Sequence, residues 1–137
     1  DMTVWLMSAN SKKYDHQRAF EEQGFIFWRQ IRSFAKGDLI YIYCTKPIGR
    51  ILYVAEVEET GIPLKSVLSD KKYYSDERQQ KEGNYIKLSL RKTYKGSKLD
   101  AADLSKFHFI PPQGPQRINS KELLGYLEDS FEEGEDE

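Results

Sequence analysis

Trp28 is the residue of this chain best placed to do chemistry, and the chemistry is stacking. It stands in Gly24-Phe25-Ile26-Phe27-Trp28-Arg29-Gln30, where aromatic rings adjoin basic and amide groups. Such a mixture suits nucleic acid. Bases stack on the rings, Arg bonds bidentately to phosphate or guanine, and Gln does so to adenine. Trp28 and Phe27 are therefore candidates for a base-binding surface, with Arg29 and Gln30 as contacts to the backbone or base edge. The competing reading of Trp28 is a core residue that closes the interior. Nine Tyr, seven Phe and two Trp, many beside Lys or Arg, repeat the pattern along the chain. Lys12, Lys13, Lys46, Arg50, Arg91 and Lys92 are candidate phosphate contacts, each equally well explained as solvated surface. The loop 111–117 offers Gln113, Gln116 and Arg117 to a duplex, although rigid Pro-Gly loops also serve simply to cross a fold.

The catalytic inventory is thin. There are two histidines, His16 and His108, and one cysteine, Cys44. No metal-ligand spacing, nucleophile elbow or phosphate-cradling Gly loop is present. His16 lies in Tyr14-Asp15-His16, a polar cluster that reads equally as a helix cap. Cys44 would need a neighbouring base to act as a nucleophile, and a half-buried structural thiol is the simpler reading. Neither a cofactor nor a metal is called for.

Composition bounds the rest. The 137 residues suffice for one domain with a real core, and an apolar content of 39% rules out wholesale disorder. No apolar run approaches the roughly 20 residues of a membrane span, and no leader-type stretch precedes Thr3-Val4-Trp5-Leu6-Met7. A single cysteine makes no internal disulfide, which points to a reducing, cytoplasmic setting. The net charge of −1 hides an uneven distribution. Residues 121–137 hold eight acids against Lys121, which leaves 1–120 at +6. A basic body with an acidic end fits a polyanion partner.

These groups need elements to position them. Residues 3–9 read as a strand, 15–23 as a short helix stopped by Gly24, and 25–30 as extended. Gly37-Asp38 opens a strand over 38–44, and a Thr45-Lys46-Pro47-Ile48-Gly49 turn leads to a second over 50–58. There Ile51, Tyr53, Ala55 and Val57 are expected to share one apolar face, as in the wall of a small closed barrel. Gly61-Ile62-Pro63 should break the strand, and 69–82 reads as a polar, helical excursion. In 84–95, Ile86, Leu88 and Leu90 alternate with Lys87, Ser89 and Arg91, the mark of a half-wet antiparallel strand. A short helix spans 100–107, and 109–117 is irregular because three prolines forbid regularity. Asn119 with Glu122 reads as a capping box for a last helix whose core face is Leu123, Leu124 and Leu127. The expected domain is 1–130. Residues 131–137 read as an acidic, disordered tail or a linker.

Trp5-Leu6-Met7-Ser8, the 24–30 run, Gly37-Asp38-Leu39-Ile40-Tyr41-Ile42-Tyr43-Cys44-Thr45, Ala55-Glu56-Val57 and Pro112-Gln113-Gly114-Pro115 together resemble the EVE domain. That family is grouped with YTH and ASCH domains among the PUA-like barrels. The resemblance spans 3–127. It departs at Tyr43-Cys44-Thr45, where many EVE domains have Tyr-His-Ser. It implies an α+β fold, a small mixed or antiparallel PUA-like β-barrel flanked by short helices. It also implies a non-catalytic reader that flips a modified base of DNA (modified cytosine or N6-methyladenine) into an aromatic pocket. Such a reader would serve as the specificity module of a modification-dependent restriction or defence system, fused to or associated with a nuclease or NTPase. By the same resemblance, Ser8 and Asn10 would bond the base edge, Tyr43 and Thr45 would end on the same rim, and Tyr74 would supply a lid. Two alternatives come with it: a reader of modified RNA, and an ASCH-like hydrolase of modified nucleosides using Thr45, Lys46 and Glu56.

Overall fold

The alternating apolar residues at the centre of the chain build the centre of the sheet. In the structure, a computed structural model that describes residues 2–111 and 113–134, six strands are present: β1 (Val4–Ala9), β2 (Phe25–Arg29), β3 (Leu39–Cys44), β4 (Arg50–Pro63), β5 (Asn84–Thr93) and β6 (Gln116–Arg117). They form one mixed sheet in the order β2-β5-β4-β3-β1-β6. β1 runs parallel to β3, and the other pairs are antiparallel. Helix α1 (His16–Gln23) is capped by the Asp15 carboxylate and ended by Gly24, whose φ of +79° favours glycine. Helix α2 (Ala101–Leu104) and α3 (Lys121–Gly134) follow later, and four 3-10 turns occupy Leu64–Ser66, Leu68–Tyr73, Glu77–Gln79 and Ser105–Phe107. The fold is α+β.

Side chains of the sheet serve two large cores, and Ile62 and Tyr85 a third, small one with Val67. Trp5, Met7, Ala9, Ile26, Ile40, Ile42, Ala55, Val57, Ile86 and Leu88 form an inner cluster with Ala19 and Phe20 of α1. Val4, Leu6, Tyr41, Tyr43 and Val54 form an outer one with Leu104 of α2 and Leu123, Leu127 and Phe131 of α3. β2 and β1 lie four strands apart in the sheet, yet Ile26 and Trp5 meet in the same cluster. The sheet therefore curls round the inner core. Buried on both faces, β1 and β3 read as near-continuous apolar runs, as parallel strands do.

The Gly37-Asp38 corner locks this arrangement. Asp38 is buried and accepts from the Thr3 amide (3.0 Å), the Trp5 indole Nε1 (3.0 Å) and the Ala35 amide (2.9 Å). One carboxylate thus fixes the start of β1, its first inner-core side chain and the approach to β3.

Several expectations are corrected. The barrel is open: among the described residues no ladder joins β2 to β1 or β6, because β6 covers only Trp5 and Leu6 of β1. Ile51 does not share a face with Tyr53, since Ile42 pairs with Tyr53 but Tyr43 pairs with Ile51. The bulge at Leu52 turns Ile51 into the outer cluster. β4 does not end before Gly61 but continues to Pro63, with Gly61 at φ +66° where the register shifts between Glu59 and Ile62. The excursion is helical only in two short 3-10 turns, not as one continuous helix over 69–82. Residues 116 and 117 are strand, not loop. Ser120 rather than Asn119 caps α3, its Oγ accepting from the Leu123 amide at 3.1 Å. Residues 131–134 belong to that helix, with Phe131 in the outer core and Glu133 paired to Lys98 at 3.0 Å. The last acidic residues, 135–137, lie outside the described residues.

Candidate functional site

Where the sheet fails to close, a pocket of about 490 Å³ opens between the ends of β1 and β2. That volume is in the range of small-ligand sites, roughly 300–1,000 Å³. Ser8 and Asn10 come from the end of β1, and Phe27, Trp28, Arg29 and Ile31 from β2 and its exit. Lys13, Tyr14 and His16 enter from the turn leading into α1, and Tyr74, Gln79 and Lys81 from the excursion.

The wall positions have local causes. Asn10 makes the turn after β1, its carbonyl accepting from the Lys13 and Tyr14 amides and its Oδ1 from the Lys12 amide at 2.9 Å. Tyr14 then pairs with Tyr74 in an isolated antiparallel bridge. Its hydroxyl donates to the buried Asp70 carboxylate at 2.7 Å, which also accepts the Phe27 amide. This tie spans the seam from the β1 side to the β2 side. Burial pushes the Tyr14 hydroxyl far up and, against its hydrogen bonds, also raises Asp70. Trp28 packs on the inner core with its ring 5.4 Å from His16, and Tyr14 lies edge-on to both His16 and Tyr74.

Three lining residues carry buried polar atoms with no hydrogen-bond partner: both ring nitrogens of His16, Gln79 Oε1 and Ser8 Oγ. An unpaired buried polar group costs about 1–3 kcal/mol, so these atoms hold unused bonding capacity beside the cavity. Alternation along β1 puts Ser8 on the side of Leu6, so it meets the pocket at the strand's free edge rather than on its inner face. Burial lowers His16 from 6.5 to about 4, with Asp15 opposing. It is therefore neutral near pH 7, with one donor and one acceptor.

A stability prediction follows from His16. Its folded pKa lies below its unfolded one, so the unfolded chain binds more protons between about pH 6.5 and 4, and stability falls with pH through that window. The loss is on the order of 3 kcal/mol by pH 4, at about 1.4 kcal/mol per pKa unit. Urea melts at stepped pH should show it, and His16→Phe should flatten the slope above pH 5. An unchanged slope in His16→Phe would assign the pH dependence to other groups.

Of the candidate residues, Ser8, Asn10, Phe27, Trp28, Tyr74, Arg29 and Lys13 line this one pocket. Lys12 lies with Lys13, Arg18 and Lys72 in an adjoining cleft that shares Tyr14 and Tyr74. Others stand elsewhere. Tyr43 is buried in the outer core against Phe109, at 5.5 Å. Thr45 gives its amide to Ala9 (2.9 Å) and is not part of the lining. Gln30 is spent on structure, its Oε1 accepting the Gly61 amide at 3.1 Å. Arg50 donates to the Gly96 and Lys98 carbonyls, tethering the approach to α2. Lys46 is exposed in the β3–β4 turn before a cis Pro47, and Arg91 is 3.5 Å from Glu56. Lys92 pairs with Val54 on β4, away from the seam. Gln113 and Gln116 are exposed, and Arg117 lies over the Trp5 ring at 5.3 Å. The trio Thr45, Lys46 and Glu56 does not converge: Thr45 follows Cys44, which pairs with Arg50, six positions from Glu56 along β4. At about 3.3 Å per residue that is roughly 20 Å. Cys44 is buried, its thiol pushed up to about 12, and so is a poor nucleophile.

Sequence reasoning missed Tyr14, His16, Ile31, Gln79 and Lys81. For His16 a signal existed in Tyr14-Asp15-His16, but Asp15 alone accounts for the cap by accepting the Arg18 amide at 3.1 Å.

No family model matches the chain, and no curated protein matches it significantly. Solved structures do resemble it. The ASCH protein of Zymomonas mobilis superposes with a TM-score of 0.63 at 18% identity, covering 93% of this chain and 96% of that one. A hypothetical protein from Leishmania major gives 0.64 at 13%, covering 97% of each chain. Human THYN1, in complex with DNA containing 5-methylcytosine, gives 0.62 at 12%, covering 93% and 97%. At these identities the likeness is one of fold, and the fold is PUA-like.

Proposed function

We propose that this chain is a non-catalytic reader of the EVE type. It takes one modified base of DNA, a modified cytosine or N6-methyladenine, into the pocket between β1 and β2. The observation that carries the reading is the presence of the Trp28 and Tyr74 rings beside buried, unpartnered polar atoms of His16 and Gln79 in one cavity. An extruded base needs flat apolar surfaces and a few groups for its edge, which is what such a cavity offers. The fold shared with THYN1, which was solved on 5-methylcytosine DNA, adds support.

The energetics require more than the pocket. Stacking on an aromatic contributes about 1–3 kcal/mol, while extruding a base costs a few. Trp28 therefore cannot hold a flipped base alone. Edge hydrogen bonds to His16 and Gln79 supply part of the remainder, and phosphate contacts from Lys12, Lys13, Arg29 and Lys81 the rest. In this reading the module lends specificity to a nuclease or NTPase of a modification-dependent defence system.

The test is fluorescence anisotropy on one duplex sequence, unmodified or carrying 5-methylcytosine, 5-hydroxymethylcytosine or N6-methyladenine, at two salt concentrations. One modification is expected to bind at least tenfold tighter, about 1.4 kcal/mol. Equal binding of all four overturns the DNA reading. Preference seen only in modified RNA makes the chain an RNA reader, and turnover of a modified nucleoside makes it an enzyme.

A further inference from the structure

An extruded base leaves a gap in the duplex, and proteins that unstack DNA commonly fill such gaps with an exposed apolar side chain. We infer that Ile110 is that wedge, an inference that rests on the reader proposal. Ile110 is 79% exposed, the most exposed large hydrophobic residue described. Single exposed apolar residues are ordinary on protein surfaces, so exposure alone decides nothing. Its mounting does.

The turn after α2 ends at His108, at φ +60°, and the Phe109 amide donates back to the Leu104 carbonyl at 3.2 Å. Phe109 is thereby pressed onto Tyr43, and Ile110 is turned outward. Tyr43 is the register partner of Ser8 in the pocket wall. Further along the chain Pro115 is buried and Gly114 packs by Arg32, where a Cβ would come within 3.2 Å of the guanidinium. Arg32 follows Ile31, which lines the opposite wall. The contacts of Phe109 and Gly114 thus both lie beside residues that neighbour the pocket lining. Pro111 restricts the backbone directly after Ile110, so little entropy is lost when the side chain is inserted.

The test compares Ile110→Ala with the wild-type chain on the preferred modified base, presented in a duplex and in a single strand. A single strand has no vacated stack to fill. The duplex affinity is expected to fall by about tenfold, or about 1.4 kcal/mol, with single-strand affinity unchanged. A mispair at the modified base should shrink the loss, since extrusion then costs less. Leu68→Ala, which trims another exposed apolar side chain, should change neither affinity. Unchanged duplex affinity in Ile110→Ala, or equal loss on both forms, overturns the wedge while leaving the pocket reading intact. If the wild-type chain prefers no modified base in either form, the reader proposal fails and the wedge fails with it.

Discussion

Trp28→Ala is expected to erase discrimination between modified and unmodified DNA and to leave weak, salt-sensitive binding behind. Losing a stacking face of about 1–3 kcal/mol lowers affinity for the preferred duplex by roughly 5- to 150-fold. Affinity for unmodified duplex, carried by phosphate contacts, should hardly move. The side chain is half-buried against the inner core, so the substitution also costs stability, though less than the 3–5 kcal/mol typical of a fully buried aromatic. Trp28→Phe separates the two effects, because it keeps a flat face and most of the packing. Recovery of discrimination in Trp28→Phe would establish stacking as the cause. Parallel losses on both duplexes, tracking a lowered urea midpoint, would make Trp28 a folding residue and no more.

The largest effect on stability is expected from Asp38→Ala. Its carboxylate is the acceptor for the Thr3 amide, the Trp5 indole and the Ala35 amide, and it is itself only 2% exposed. Removing it leaves three donors in or near the core without a partner, at about 1–3 kcal/mol each. Several kcal/mol is a large share of the 5–15 kcal/mol that keeps a domain folded. Asp38→Asn retains one acceptor oxygen and should fall between wild type and alanine. Urea unfolding measures this directly, as a lowered midpoint at constant slope. A change under about 1 kcal/mol in Asp38→Ala would show that water replaces the carboxylate and that the corner is no clamp.

The elements legible in the sequence are those fixed by neighbours along the chain. Asp15 caps α1 and Gly24 ends it because both act within a turn of the helix. Ile86 and Leu88 alternate inward because β5 holds one register there, pairing with Trp28 and Ile26. Where register slips, pattern fails. Alternation past Leu52 gives Ile51 the wrong face, and Gly61 reads as a stop although it only kinks a strand that continues. The site divides the same way. Trp28, Ser8, Asn10 and Tyr74 stand out by residue type and place in the order of elements. His16 does not, since its burial comes from packing against Trp28 and Tyr14 rather than from anything at its own position. Gln30 and Arg50 look like ligand contacts in sequence, but their partners Gly61, Gly96 and Lys98 lie 31 to 48 residues away.

The open seam makes aperture an adjustable quantity. The two walls of the pocket connect through the sheet only the long way round, by β5, β4 and β3, and across the gap by the strap of Tyr14, Asp70 and the Phe27 amide and the short Tyr14–Tyr74 bridge. Spreading the walls breaks no rung of the six-stranded sheet itself. Each intervening strand contributes its own twist, and β4 carries most of the irregularities at which twist can change. A substitution at Leu52 or Gly61, touching nothing bound, would therefore resize the mouth much as a shim under one end of a beam moves the other. On the proposed reading, fit to a bulkier base is open to tuning from the back of the sheet, without disturbing the pocket lining.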